Sequence, residues 1–463
     1  MSQHVQTVND VREQRLSTKQ KVIFGFGDWL NTMTYGMIAA FLMAFLTDVS
    51  LIPMAAVTAI MSLSKLWDAI NDPIIGVIID KSRSKHGVYR PWLLSMAIPF
   101  ALTNILLWVP VGGWSQGAKI TYVSIVYCLY MVFFTAYHIA YGSLAGTMTQ
   151  NTDDRGKLYG FRLGTSQFLF WGLTVLWLPL IGLLMKSGMG MDKAYLIAAI
   201  VFTVPGLLCA VLLFKNSEEV VAPPESVKLP FKSLVQFVMK NPPLIMCMIG
   251  QFVCGIYTYG RSTVMMYYFT YNAGDVGLFT LYNFIAIGCG IAGPFTGPIL
   301  QEKIGNKGKV VALGCIVSGL AMVATHWTNP ATSPVMFYVL AGIAGYFNGM
   351  ISGSLYACML DTIELGQLKT GIRASAFAVS LCHFANKLGM TISTAGVGAV
   401  LAALGYLANQ QQNAAVLTWT DNFFTWIPGI IGVAVGLVFL FGYKLDRESY
   451  YKVLAQLKGE SAQ

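Results

Sequence analysis

The sequence predicts an all-α membrane protein of twelve transmembrane helices arranged as two pseudo-symmetric halves of six. Three observations carry that prediction: a composition 55% hydrophobic and only 11% charged, apolar runs long enough to cross a bilayer, and Lys and Arg gathered in alternate loops between them. Soluble domains carry about 25% charged residues, so this chain, with a mean hydropathy of +0.60, lacks the charge to cover a soluble surface.

The first 21 residues are polar and mixed in charge, without a short apolar core or a small-residue cleavage site, which predicts no removable signal peptide. Runs of about 20 residues or more then begin near Val22, Leu51, Pro91, Thr121, Leu163, Ala194, Leu244, Leu278, Val310, Pro334, Ala374 and Phe423. Of the 30 Lys and Arg, 24 fall in the two tails and the loops after the even-numbered spans, against Lys119, Lys186 and Lys193 on the other side. Positive loops stay inside, so both termini are expected in the cytoplasm. The net charge of +9 follows this topology and does not call for a nucleic-acid partner. The organisation read from the pattern is a cytoplasmic tail at 1–21, a six-helix bundle at 22–214, a polar cytoplasmic linker at 215–242, a second bundle at 243–444 and a tail at 445–463. A weak repeat supports the division: the basic, Gly-bearing turn from Asp80 to Gly87 matches that from Gln301 to Gly308 at the equivalent place in each half.

The remaining basic residues, Lys65, Arg261 and Lys387, fall within spans. Ionisable groups in the hydrocarbon are costly, which makes them functional candidates by default. Asp68 and Asp72 in the second span are four apart and share one helical face, with Lys65 on the same stripe. The alternative, a buried Lys65–Asp68 pair that only locks the helix, leaves Asp72 unexplained. In the first span Asp28, Asn31 and Tyr35 recur at helical spacing, and in the fourth Thr135 and His138 do so. Each set suits a shared cavity, with interhelical hydrogen bonding as the plainer alternative. Arg162 opens the fifth span and is read as reaching inward, with anchoring at the headgroups as the alternative. Lys387, in the eleventh, is read as facing the carboxylates, and His383, one turn earlier, as a packing histidine. Asp361, Glu364, Lys369 and Arg373 cluster around the tenth-to-eleventh loop and read as a salt-bridged gate toward first-half loop cations, with a solvated loop without a gating role as the alternative.

The eight cysteines lie in apolar segments without a Cys-x-x-Cys pair and read as packing residues, with no metal site or disulfide framework. No His-Glu-x-x-His, Gly-x-Ser-x-Gly or phosphate-binding loop is present, so no enzyme is expected.

Two six-span halves around a central site are the plan of the major facilitator transporters. Within them the chain resembles the glycoside-pentoside-hexuronide:cation symporters, of which the melibiose permease is the best-known member. The resemblance spans nearly the whole chain. It rests on Phe24 to Asp28, Trp67 to Pro73, Asp80 to Trp92 with Tyr89-Arg90-Pro91-Trp92, Ile139 to Leu144 with Tyr141, Asp361 to Gly366, Thr370 to Arg373, and Lys387. It implies a secondary active symporter in the bacterial inner membrane, functional as a monomer among lipid, moving a sugar, glycoside or hexuronide with a co-transported proton or sodium and no other cofactor. Asp68, Asp72 and Thr135, with His138, would then hold the cation. Asp28, Asn31, Tyr35, His138, Tyr141, Arg162 and Lys387 would meet substrate, and Lys65, Arg90, Asp361, Glu364, Arg373 and Lys387 would couple or gate. The chain has His138 where the melibiose permease has Asp, which favours a proton over sodium. Gly142 and Ser352 stand where that permease has Trp, so the sugar pocket must be rebuilt. A lysolipid transporter of the same fold and a non-transporting sugar sensor are the alternatives.

Overall fold

In the computed structural model, residues 15–43, 45–82, 84–220, 231–275, 277–330, 332–406 and 410–459 are described. Among them there is no strand, as expected for a chain whose backbone polar groups must be satisfied within each segment in lipid.

The first span is broken. Thr18–Phe26 and Trp29–Met37 are separate helices, followed by π-helical turns at Ile38–Leu42 and Phe45–Val49. The next spans are Met54–Lys81, Arg90–Leu107, Gln116–Met148, Thr152–Lys186 and Met191–Asn216. A short helix, Phe231–Met239, leads into the second set: Pro242–Tyr267 with a π turn at Tyr268–Asn272, Gly277–Ile304, Lys307–Ala324, Pro334–Thr370, Ser375–Ala403, and a twelfth span split into Ala414–Phe424 and Trp426–Gly442. Arg447–Lys458 closes the described chain. The first span of each set ends in π-helical turns, a correspondence that hydropathy does not show.

Nine helices among the described residues are long and apolar enough to cross a membrane. The other three expected spans are the broken first, the second with Asp68, Asp72 and Asp80, and the eleventh with His383 and Lys387. Their polar residues build the centre of the molecule.

Two boundaries differ from expectation. The fifth span begins at Thr152 rather than Leu163, because Asn151 caps it, accepting from the backbone N–H groups of Asp153 and Asp154. Its polar opening turns are buried by protein, and hydropathy reads only lipid. The twelfth begins at Ala414, where Asn413 accepts from the Val416 N–H, nine residues before the expected Phe423.

Across the molecule the second and fourth spans pack on the eleventh, and the fifth packs on the eighth and tenth. The eighth and tenth approach most closely at glycines: a Cβ on Gly345 would overlap the Ala286 carbonyl, and one on Gly349 the Gly290 carbonyl. The first and last described residues lie at one end, where Arg15 reaches Asn151 at 3.1 Å, the Arg447 N–H donates to Gly305 O at 2.9 Å, and Tyr450 donates to Gln150 O at 2.8 Å.

Candidate functional site

The break in the first span exposes backbone carbonyls inside the bundle, and tyrosines of the fourth span take them up. Tyr137 donates to Gly27 O at 3.0 Å, and Tyr141 donates to Phe24 O. Asp28 opens the second piece of the span, and its carboxylate receives Asn31 Nδ2 at 2.8 Å and Ser166 Oγ at 2.5 Å. Arg162 reaches inward as expected, with Nε 3.3 Å from Asp28 Oδ2 and Nη2 3.4 Å from Oδ1. Its guanidinium lies 4.4 Å over the Tyr141 ring and 5.3 Å over Tyr159. Tyr141 is fully buried, so it carries Arg162 and closes the helix break instead of lining a cavity. Tyr35, at 41% exposure, keeps an open face while its ring stacks on Phe134.

The second span meets the fourth and eleventh where the two halves face each other. Thr135 Oγ1 donates to Asp68 Oδ1 at 2.9 Å and is 3.1 Å from Asp72 Oδ1. From the opposite half, Lys387 Nζ lies 2.6 Å from Asp68 Oδ2 and 2.8 Å from Asp72 Oδ2. Two carboxylates, a hydroxyl and one ammonium thus form a cluster with a formal charge of one negative unit, and the ammonium ties the halves together. Among the described residues these two acids are the ionic partners of Lys387.

His138 does not join the carboxylates. Its Nε2 is 3.0 Å from Nε2 of His383, whose Nδ1 lies 3.2 Å from the Tyr356 hydroxyl. The expected packing histidine therefore bridges the halves. Its place four residues before Lys387, on the same helical stripe, was the available signal. Such a contact requires a proton on one of the two facing nitrogens.

At the end carrying Arg15 and Arg447, Arg155 is the residue that the loop pattern hid among ordinary cations. Fully buried, it donates to Glu364 Oε1 at 2.7 Å and Oε2 at 2.9 Å, a bidentate pair, and lies 3.5 Å from Asp361. Arg373 adds a bond to Glu364 at 3.1 Å, and Lys307 holds Asp361 at 2.7 Å. Asp361 and Glu364 thus join both halves, as expected. Beside them Asp80 accepts the first backbone N–H groups of the eleventh span, Ala376 at 3.1 Å and Phe377 at 2.9 Å, where the helix dipole favours an anion. Arg90 stays apart from this cluster: it donates to Phe214 O at 2.7 Å and stacks on the Phe214 ring, within the first half. Lys65 lies on the second span, and its side chain is outside the described residues.

The chain matches the family model described as MFS/sugar transport protein over residues 23–447. It is 30% identical to the uncharacterized symporter YjmB of Bacillus subtilis, covering 97% of each chain. It is 28% identical to the glucuronide carrier protein homolog of Escherichia coli, covering 96% of each. Among solved structures it superposes on the E. coli fucose:proton symporter FucP with a TM-score of 0.64 at 12% identity, covering 91% of this chain and 96% of that one. That likeness shows the major facilitator fold.

Proposed function

The chain belongs to the MFS/sugar transport protein family, and from that premise we propose that it couples entry of a sugar, glycoside or hexuronide to a cation by alternating access. It is a multi-pass membrane protein and a transporter rather than an enzyme. The observation that carries the coupling is the Asp68–Asp72–Thr135 cluster clasped by Lys387 from the other half.

The ammonium occupies the space between the carboxylates that a cation would take. A sodium ion would have to displace it and gather several oxygens, and His138, turned to His383, offers none. A proton needs no ligand shell. Protonating one aspartate weakens the hold on Lys387, loosens the tie between the halves and makes the coupling sensitive to a proton gradient. By linkage, a substrate that favours the loosened state raises proton affinity by the same factor.

Both termini are assigned to the cytoplasm of a bacterial inner membrane, with 22–214 and 243–444 as the moving halves of a monomer. The Arg155–Glu364–Arg373 network then closes the cytoplasmic side, and Asp28, Asn31, Tyr35, His138 and Arg162 contribute the first-half face of the substrate path. Uptake of labelled sugars into oriented vesicles, with a proton gradient, a sodium gradient or neither, tests the proposal. Accumulation above equilibrium under a proton gradient supports it, and equilibration alone under every gradient refutes it.

A further inference from the structure

A second charged centre lies in the other half and is used by none of the chemistry above. A cavity of about 240 Å³ is lined by the seventh, eighth, ninth and tenth spans and faced by Gln167 of the fifth. Its lining includes Arg261, Tyr257, Thr258, Asn283 and Asn348 and, among the described residues, no Asp or Glu. Arg261 is 8% exposed. Its Nε donates to Phe424 O at 2.8 Å, and its guanidinium lies 4.3 Å from the Phe424 ring centroid and 5.3 Å from that of Tyr282. Among the described residues its buried Nη2 has no acceptor, and the Tyr282 hydroxyl has no hydrogen-bond partner. The acid closest in sequence to its backbone acceptor, Asp421, is held by His326 at 2.7 Å.

An unpaired guanidinium at this depth is costly, whereas Arg162 is answered by Asp28 and Lys387 by two aspartates. The other buried cations facing the centre therefore have no charge to spare for an anionic ligand, and Arg261 does. Stacking on Phe424 and the bond to its carbonyl fix the guanidinium plane, which suits it to a carboxylate, taken by paired N–H groups. The surrounding hydroxyls and amides are the groups that orient a polyol. The volume is below the roughly 300–1,000 Å³ of sites for drug-sized ligands and suits one sugar ring.

We propose that this cavity receives the carboxylated ring of an acidic sugar, with Arg261 binding its carboxylate and so setting substrate specificity. The inference rests on the sugar-transport reading and narrows it. The test compares accumulation of labelled hexuronates and methyl hexuronides with that of their uncharged hexose and methyl hexoside counterparts, in vesicles energised by proton or sodium gradients. Wild type should favour the acids, Arg261→Gln should lower the acid-to-neutral ratio by roughly 10- to 100-fold, and Arg261→Lys should retain part of it. Wild type that accumulates neutral sugars and not acids overturns the inference and leaves symport standing, as does a well-folded Arg261→Gln with an unchanged ratio. If Arg261→Gln fails to elute as a single species, the wild-type preference and Arg261→Lys decide: no acid preference, or its total loss in a well-folded lysine variant that keeps the charge, counts against the inference. Failure of every sugar to accumulate under either gradient overturns the symport reading and this inference with it.

Discussion

Glu364→Gln is expected to unlatch the end of the molecule that carries Arg15 and Arg447. The carboxylate is fully buried and takes three charged hydrogen bonds, two from Arg155 at 2.7 and 2.9 Å and one from Arg373 at 3.1 Å. The amide keeps the volume but leaves two buried guanidiniums without their shared counter-charge. Asp361 cannot replace it, since it is 3.5 Å from Arg155 and already pairs with Lys307 at 2.7 Å. Breaking a buried pair costs about 3–5 kcal/mol, and that cost falls on the closed state alone, because in the open state these groups meet water. At about 1.4 kcal/mol per decade, the closed-to-open ratio should fall by roughly two to three and a half decades. Spin labels at the exposed Lys85 and Lys309, one in each half, with the exposed Cys128 and Cys289 replaced by Ala, report the distance by pulsed electron resonance. A new, longer population in the variant is expected. A distance distribution identical to that of the parent protein would refute the gate.

Two further substitutions probe other parts of the account. Lys387→Ala removes the ammonium that ties Asp68 and Asp72 to the second half, so concentrative uptake should be lost while detergent elution is unchanged; uptake with normal cation dependence would remove Lys387 from the coupling. Gly345→Val puts a branched side chain against the Ala286 carbonyl, and overpacking of about 1–3 kcal/mol should lower the melting temperature measured by scanning fluorimetry, whereas an unchanged transition would show that the eighth and tenth spans can part freely.

The spans and much of the central chemistry were legible because intramembrane charge is rare. Asp28, Asp68, Asp72, Arg162 and Lys387 stood out from their apolar surroundings, and helical spacing placed them on inward faces. What stayed hidden depended on context that one helix does not carry. Arg155 looks like a loop cation until the capped opening turns of the fifth span bury it against Glu364. Tyr141 looks like a cavity residue until the broken first span presents a carbonyl to it. His138 reads in sequence as a neighbour of the carboxylates, and only the packing of the fourth span against the eleventh turns it to His383. Arg261 was visible as an intramembrane charge, but its lack of an acidic partner is a property of the packed second half.

The central claim is that Asp68 and Asp72 couple cation entry to sugar movement, and the most direct measurement is sugar accumulation against exchange in Asp68→Asn and Asp72→Asn vesicles. The amide keeps volume and the Thr135 contact while removing the titratable charge. The account predicts that each variant loses uphill accumulation driven by a proton gradient yet still exchanges labelled for unlabelled sugar at equal concentrations. Gradient-driven accumulation at the wild-type level in both variants would contradict it.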